Sequence, residues 1–392
     1  MRSLCVLFTA SLLVAACSSS DDAGPGATAP VEGAEPTEVT AAPTTAAEPP
    51  ATAASEIDVA VTAAPATAPP TTETPAGDDG DDSSRTDVAT GEPTDQVLLI
   101  DGPATVRPSC ASLAPGVTEF TLEAGGAARD VRIFVPSVAA SDPAPVVLNW
   151  HGLGSNGPEQ AAYTGYEELA EAEGFIAVHA TGVEVDGRNS WELSVSDTAE
   201  RDDLAFADAL IDEVVAEWCA DPARVYSTGM SNGGLFTSEL VCNRSTRFAA
   251  AASVAGTTHP PTCAPERAVP YISFHGTADF VVPFDGEDPS TLLSPEGVDA
   301  LIDDSTPGEF AEFAADAGCA PEPTIVEETD EVTRFDYLGC DDGVPMAFYE
   351  IAEGGHTWPA SPLADALADF GYFTQDVDAT VDAWAFMSQH SL

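Results

Sequence analysis

The chain has 392 residues, of which 66 are acidic and 12 are basic, and its formal net charge is −54 at pH 7. All of the basic residues are arginines. A chain with this charge lacks the basic face that phosphate groups require, so we exclude nucleic acids as partners. The acidic residues are spread along the whole sequence, which indicates a solvated acidic surface rather than a site for a cationic substrate.

The first 17 residues have the pattern of an export signal. Arg2 precedes an apolar run over residues 4–16, which is too short to cross a bilayer as a stable helix. The run ends in Leu-Val-Ala-Ala-Cys, which resembles a bacterial lipobox, so we expect Cys17 to be the first mature residue and to carry lipid. An ordinary signal peptide with an incidental Cys17 is the alternative. We expect an exported protein at the cell envelope, outside the cytoplasm, with this anchor as its sole membrane attachment.

Residues 18–105 are mainly Ala, Thr, Pro, Ser, Gly, Asp and Glu, with Arg85 as their one basic residue. A segment with so few large apolar side chains cannot bury enough surface to offset its chain entropy. We therefore predict a disordered, extended tether. Residues 106–392 remain, and they are enough for one folded domain with a sizeable core.

The predicted elements of residues 106–392 alternate between strands and helices. The first two strands, 117–124 and 129–136, flank a Gly-Gly turn and predict a hairpin; further strands follow at 145–150, 175–180, 225–231, 250–255, 271–275 and 346–351. Helices are predicted at 159–173, 202–218, from 235 onward, at 309–317 and at 376–390. The fold class is therefore α/β, a mostly parallel sheet covered on both faces in a single domain. The Pro-, Gly- and Ser-rich segment 283–308 predicts a surface insertion beside the carboxyl edge of the sheet.

Ser231 is the most informative residue of this domain. It lies in the sequence Gly-Met-Ser-Asn-Gly-Gly, residues 229–234, between a predicted strand and a predicted helix. A G-x-S-x-G turn in that context holds the serine in a strained backbone conformation with its hydroxyl exposed above the sheet. We therefore predict that Ser231 is a nucleophile.

Two later residues complete a candidate catalytic triad. Asp279 follows a predicted strand, and His356 follows the last predicted strand in a Gly-Gly-His-Thr-Trp-Pro sequence. The order Ser, Asp, His along the chain is that of the α/β-hydrolases. We assign His356 as the base and then the acid, and Asp279 as the carboxylate that orients it. Asp285 is the alternative to Asp279, and a surface histidine is the alternative for His356.

A tetrahedral intermediate also needs N–H donors for its oxyanion. We predict that the backbone N–H of Asn232 is one donor and that of Leu153 is the other. Leu153 lies in the glycine-containing segment 151–156, which we call the oxyanion loop, and we expect His151 to have a structural role there. We predict that two tryptophans, Trp191 and Trp358, wall the acyl pocket, with ordinary half-buried tryptophans as the alternative. We assign no role to His179, His259 and His275.

Six cysteines remain after the signal and the lipidated residue, and an exported protein favours disulfides. Their spacing contains no C-x-x-C pair, so we expect no metal site. From the predicted helix ends we propose Cys219–Cys242, and from a hairpin-like excursion Cys319–Cys340, which leaves Cys110–Cys263. Other pairings stay open, because connectivity does not follow from sequence alone.

Six short motifs together carry a family resemblance. They are Arg188-Asn-Ser-Trp, Asp202-Asp-Leu-Ala-Phe, Asp221-Pro-Ala-Arg-Val-Tyr, the segment 229–234, His275-Gly-Thr-Ala-Asp and Gly355-His-Thr-Trp-Pro. Over roughly residues 129–390, the set resembles the polyhydroxybutyrate depolymerase family, which is close to feruloyl and acetylxylan esterases. The resemblance implies a secreted α/β-hydrolase that acts on carboxylic esters without a cofactor. The chain departs from that family in lacking an obvious polymer- or carbohydrate-binding module.

These features predict a monomeric serine esterase that works through an acyl-enzyme. The first interpretation is hydrolysis of hydroxyalkanoate oligomers, as in polyhydroxybutyrate depolymerases. The alternative is a feruloyl or acetylxylan esterase that acts on plant polysaccharide. A serine peptidase of the same fold and a non-catalytic surface binding protein are two further hypotheses, and the complete triad argues against the second of them.

Overall fold

The computed structural model describes Cys110 and residues 113–137, 143–194, 201–286 and 305–392. The predicted export signal, Cys17 and the tether lie outside these residues, as does the middle of the predicted insertion, residues 287–304. In the part of the chain that is described, no helix is long and apolar enough to cross a membrane.

A mixed sheet forms the centre of the described domain. Ten strands join it, in the order β1-β2-β4-β3-β7-β8-β9-β12-β11-β10, among the residues that the structure describes. These strands are β1 (Gly116–Ala124), β2 (Ala127–Val135), β3 (Ala144–Trp150), β4 (Ile176–Ala180), β7 (Ala220–Met230), β8 (Ala250–Val254), β9 (Tyr271–Gly276), β10 (Thr324–Glu327), β11 (Val332–Tyr337) and β12 (Met346–Ile351). The strands from β4 to β12 in this order are parallel, and antiparallel strands flank them on both sides. A separate short hairpin consists of β5 (Val183–Val185) and β6 (Arg188–Ser190).

Helices cover both faces of this sheet, as the sequence predicts. They are α1 (Gly157–Thr164), α2 (Tyr166–Glu173), α3 (Asp203–Glu217), α4 (Asn232–Asn243), α5 (Thr306–Asp316) and α6 (Ala379–Met387). The period of two along β3 sends Val146 and Leu148 to the core beneath α3 and α4, whereas Val147 packs in the core beneath α2 and α6. The fold is therefore that of an α/β-hydrolase, with a mostly parallel sheet between helical layers.

The elements depart from the prediction at a few places. The helix predicted over 159–173 is two helices, because Gly165 adopts a left-handed conformation (φ 70°) and ends α1. The hairpin β5–β6 was not predicted, since each of its strands has only three residues. The last helix begins at Ala379 rather than at 376, because the Asp378 carboxylate accepts the N–H groups of Thr380 and Val381 and so caps the helix there.

The disulfides correct two of the three predicted pairs. The structure pairs Cys110 with Cys219 and Cys242 with Cys263, so the predicted pairs Cys219–Cys242 and Cys110–Cys263 are wrong. The Cys219 carbonyl accepts the N–H of Ala144, which places it on the β3 side of β7. The chain after β8 instead returns along the end of α4, where the N–H of Glu266 donates to Ser245 Oγ at 2.9 Å.

That return brings Cys263 next to Cys242, so Cys219 pairs instead with Cys110 in the N-terminal segment. The predicted pair Cys319–Cys340 is confirmed. It encloses the hairpin of β10 and β11.

Candidate active site

The three predicted triad residues all lie at the carboxyl edge of the parallel strands. Ser231 directly follows β7, Asp279 comes shortly after β9, and His356 shortly after β12. These strands belong to one parallel run, in which β8 lies between β7 and β9 and β12 adjoins β9. All three side chains belong to residues that are only 5% exposed.

Ser231 occupies a strained turn. Its backbone has φ 55° and ψ −123°, a conformation that residues other than glycine rarely adopt. The Ser231 N–H donates to the carbonyl of Val254 at the end of β8 (2.9 Å), and the Ser231 carbonyl accepts the first helical bond of α4 from Leu235. The turn is therefore fixed at both ends, as expected for a nucleophile elbow, a name we use for residues 229–234.

Two glycines make this elbow possible. A Cβ atom on Gly229 would lie 2.3 Å from the carbonyl oxygen of Gly233, and a Cβ atom on Gly233 would lie 2.2 Å from that of Trp150. Either side chain would push the first turn of α4 away from β7 or β3. The close approach of strand and helix places the serine at the carboxyl edge of the sheet, at the start of α4.

Asp279 uses both of its carboxylate oxygens. Oδ1 accepts the backbone N–H groups of Val281 (2.8 Å) and Val282 (2.9 Å), and Oδ2 lies 2.8 Å from Nδ1 of His356. Burial raises the pKa of Asp279, but the attraction of His356 and its other partners outweighs burial, and the pKa is lowered from its ordinary 3.8. An ionised Asp279 keeps the proton of His356 on Nδ1. The alternative carboxylate, Asp285, is exposed.

The loop that carries His356 is held by backbone hydrogen bonds on two sides. The N–H of His356 donates to the Phe370 carbonyl at 2.9 Å, and the N–H of Gly355 donates to that of Tyr372 at 3.1 Å. On the other side, the Gly354 carbonyl accepts the N–H of Ala278, one residue before Asp279. The orientation of the imidazole is therefore set by neighbouring backbone as well as by the carboxylate.

The oxyanion loop lies against Ser231. A Cβ atom on Gly152 would be 3.4 Å from the Ser231 Cβ, so the backbone of the loop passes directly beside the nucleophile. Asn232 is the first residue of α4, where backbone N–H groups have no partner within the helix. Asn232 directly follows the serine and Leu153 directly follows Gly152, and their role as oxyanion donors stays a prediction.

His151 fixes the conformation of that loop. Its Nε2 accepts the backbone N–H of Gly182 at 2.8 Å, and its Nδ1 lies 2.7 Å from the Gly152 carbonyl and donates to it. Burial lowers the pKa of His151 to about 4, which keeps the ring neutral. With both nitrogens engaged, this histidine has the structural arrangement that the sequence predicted.

Both tryptophans that were predicted to wall the acyl pocket lie in the core, and that prediction is corrected. Trp191 is 2% exposed, stacks on Phe236 and donates from Nε1 to the His151 carbonyl at 3.0 Å. Trp358 is 0% exposed and donates from Nε1 to Thr380 Oγ1 at 2.9 Å. The large apolar area of each indole is packed between helix and sheet, where it cannot contact a substrate.

Sequence reasoning missed a histidine at the site. His275, which was given no role, is the next-to-last residue of β9 and has a buried side chain. Its Nε2 lies 2.9 Å from the Val282 carbonyl and 3.5 Å from Asp279 Oδ2. Burial lowers the pKa of His275, so the ring is a neutral neighbour of the carboxylate. The four-residue spacing between His275 and Asp279 was the available signal, but strand burial alone explained the histidine equally well.

Among the described residues, one group of side chains has the donor atoms that a metal ion could use. It consists of His259, Cys263 and Asp316, but Cys263 is bonded to Cys242. A disulfide sulfur is not a thiolate ligand. His259 is instead held between Glu312 (3.0 Å) and Asp316 (2.9 Å) on α5.

Comparison with known proteins agrees with this fold. The model of the prolyl oligopeptidase family matches residues 171–262, a segment that includes the elbow. A putative esterase, NocK, from Nocardia uniformis subsp. tsuyamanensis is 29% identical over 55% of this chain and 65% of its own length. A bifunctional acetylxylan esterase/xylanase, XynS20E, from Neocallimastix patriciarum is 31% identical over 40% of this chain and 22% of its own length. Feruloyl esterase B from Piromyces equi is 27% identical over 58% of this chain and 42% of its own length.

The fold and the elbow define the class: a protein of the α/β-hydrolase fold with a serine at its nucleophile elbow. Its homologues include feruloyl and acetylxylan esterases. The chain spans less than two thirds of the length of each of the three curated relatives given above.

Proposed function

We propose that this protein is a serine esterase that removes feruloyl or acetyl groups from plant polysaccharide. The observation that carries the proposal is the hydrogen bond between His356 and the buried Asp279, at the sheet edge where Ser231 is held in its strained turn. That arrangement supports acyl transfer, since a serine hydroxyl needs an oriented imidazole to accept its proton.

In the first half of the reaction, Ser231 Oγ attacks the ester carbonyl while Nε2 of His356 takes the hydroxyl proton. The negative charge of the tetrahedral intermediate falls on the former carbonyl oxygen, which accepts hydrogen bonds from the N–H groups of Leu153 and Asn232. His356 then protonates the leaving alcohol, and the acyl-enzyme remains on Ser231. In the second half, His356 activates water, and the carboxylic acid is released.

Two considerations favour polysaccharide esters over hydroxyalkanoate oligomers. The relatives described above include acetylxylan and feruloyl esterases, and none of the three is named as a polyhydroxybutyrate depolymerase. Two exposed aromatic side chains lie close along the backbone to the triad: Phe280, which follows Asp279, is 46% exposed, and Phe370, whose carbonyl accepts the His356 N–H, is 44% exposed. Exposed aromatic rings beside an ester site suit stacking on a ferulate ring or a sugar face.

A peptidase is the second candidate, because the prolyl oligopeptidase family model matches the segment around the elbow. The same triad can cleave amides. Hydrolysis of aminoacyl-proline p-nitroanilides would favour this candidate over an esterase.

We further propose that the catalytic domain, residues 106–392, is exported and tethered through a lipid on Cys17. The three disulfides among the described residues are typical of an oxidising compartment. Labelling with an alkynyl fatty acid, compared between wild type and Cys17→Ala, tests the anchor. Loss of the label in Cys17→Ala is expected, and an unlabelled wild type would contradict it.

The activity is tested with the full chain and Ser231→Ala on feruloylated and acetylated xylo-oligosaccharides and on 3-hydroxybutyrate oligomers, with products identified by mass. Release of ferulate or acetate by wild type alone is the expected result. Release of 3-hydroxybutyrate alone would return the assignment to the depolymerase interpretation. Equal activity of the Ser231→Ala protein would disprove the site itself.

A further inference from the structure

We propose that Asn189, Trp191 and the side chain of Asn232 form a bracket that sets the distance between the two oxyanion donors. This inference rests on the proposed esterase function, since it assigns positioning residues to that site. The bracket is the segment 189–191, together with the Asn232 amide that it binds. It lies between the oxyanion loop and the nucleophile elbow and is bonded to both.

The first side of the bracket holds the oxyanion loop. The Asn189 carbonyl accepts the N–H of Gly154 at 2.8 Å, and its Nδ2 donates to the Ser155 carbonyl at 2.9 Å. The Trp191 indole donates to the His151 carbonyl at 3.0 Å. These three bonds engage the loop before and after Leu153, so they fix the direction of the Leu153 N–H without using it.

The second side holds the elbow. The backbone N–H of Trp191 donates to Asn232 Oδ1 at 2.7 Å, and Asn232 Nδ2 donates to the Trp191 carbonyl at 3.1 Å. A side-chain amide that pairs with one residue's N–H and carbonyl holds that residue in a single orientation. Because Asn232 also carries the second backbone donor, its side chain ties that donor directly to the bracket.

The bracket itself is rigid. Arg201 donates from Nη1 to the carbonyls of Ser190 (2.9 Å) and Val183 (3.3 Å), which joins the two strands of the β5–β6 hairpin. The Trp191 ring is packed against Trp150 and Phe236, with ring centroids 5.0 and 5.3 Å apart. Anchoring of this kind is what pre-organised donors require, because an oxyanion hole works only if its N–H groups do not move during the reaction.

This geometry gives a chemical reason for the Arg-Asn-Ser-Trp motif. The tryptophan belongs to the catalytic machinery through its hydrogen bonds rather than through contact with the acyl group. The two donors come from loops after different strands, β3 and β7, so backbone continuity alone does not fix their separation. The side chains of Asn189, Trp191 and Asn232 bond the segment 189–191 to both loops, and the bracket therefore sets the transition-state geometry.

The test compares Asn232→Ala and Asn189→Ala with Asn243→Ala. Asn243 lies at the far end of the same helix, α4, and its amide donates to the Glu239 backbone and carboxylate at 3.0 and 3.1 Å, so it controls for the loss of a comparable side chain. Each variant is assayed for kcat and KM on a phenyl ester, for inhibition by a trifluoromethyl ketone, and for thermal unfolding. The ketone forms a hemiketal whose oxyanion occupies the same hole.

We expect kcat of Asn232→Ala and Asn189→Ala to fall about ten- to a hundredfold, with KM nearly unchanged. The inhibition constant of the ketone should rise in proportion, while Asn243→Ala keeps both values. Unchanged kcat and ketone affinity in the folded Asn189→Ala protein would overturn the proposal, as would a lower unfolding temperature without a change in either value. Should Asn232→Ala not fold, Asn189→Ala decides alone, because its side chain binds only the loop.

The esterase assignment is tested separately in the same assay. If Ser231→Ala is inactive and the bracket variants are fully active, only the bracket is wrong. If Ser231→Ala retains activity, the proposed site itself is wrong.

Discussion

Two loops at the carboxyl edge of the sheet each carry a buried histidine, and their hydrogen bonds give the two rings different functions. His151, after β3, has both nitrogens engaged by backbone groups of Gly152 and Gly182. His356, after β12, has Nδ1 engaged by the carboxylate of Asp279. A carboxylate stabilises an imidazolium, whereas a backbone N–H pointing at Nε2 opposes protonation. The same residue type is therefore a base in one loop and a fixed support in the other.

The largest effect that separates the two loops is expected from His356→Ala. Turnover should fall about 10⁴- to 10⁶-fold, because the serine loses the group that accepts its proton. The unfolding temperature should stay close to that of wild type, since the loop keeps its backbone bonds to Phe370 and Tyr372. Ester hydrolysis and calorimetry on one preparation check both. Substantial remaining turnover would show that another residue is the base.

Asp279→Asn tests the contact that makes His356 different. An amide can present its N–H₂ to Nδ1 and so favour the wrong tautomer, and turnover should fall about 10⁴-fold. The Oδ1 contacts to Val281 and Val282 can persist in this variant. Steady-state kinetics with a matched Asp285→Asn variant provides the measurement. If turnover falls equally in both variants, the orienting role of Asp279 is contradicted.

His151→Ala is expected to act on stability first. It leaves the buried N–H of Gly182 without its acceptor and opens a cavity, at a cost of about 2–4 kcal/mol in the free energy of unfolding. Urea denaturation measures this change. The pH dependence of the remaining activity should show no titration of a group in the oxyanion loop. An undiminished free energy of unfolding would contradict the support role.

The smallest effect is a pH dependence of stability from histidines that stay neutral in the fold. Burial lowers the pKa of His151 to about 4 and that of His179 to about 3, from an ordinary 6.5. Below pH 6.5 the unfolded chain binds protons that the folded chain does not, so stability is full above that pH and falls toward the folded pKa values. Between pH 7.5 and 5.0 each ring should cost about 2 kcal/mol of unfolding free energy.

Urea unfolding at these two pH values measures the loss, and His179→Gln should remove its share. Over this range most carboxylates stay ionised, including Asp279, whose pKa is lowered and whose contribution is lost only in stronger acid. A free energy of unfolding that is equal at both pH values would contradict the neutral state of these rings.

The local patterns of the chain were sufficient for much of the fold and for the candidate triad. Continuous apolar runs, such as residues 145–150, predicted a sheet covered on both faces, and the structure has it. The elbow was predictable because its glycines and serine are contiguous, and their backbone strain is a local property. Asp279 and His356 followed from strand ends, since the carboxyl ends of parallel strands meet at one edge.

The amino-acid sequence by itself determined most of the strands and helices, the elbow at Ser231 and the candidate residues at the carboxyl edge of the sheet. Only the tertiary structure decided the partners of Cys110, Cys219, Cys242 and Cys263, the burial of the two tryptophans and the contact of His275 with Asp279. The physical reason is the separation along the chain of the residues that interact. Strand periodicity and turn strain act between neighbours in the chain, whereas disulfides, buried indoles and paired side chains depend on how distant segments pack against one another.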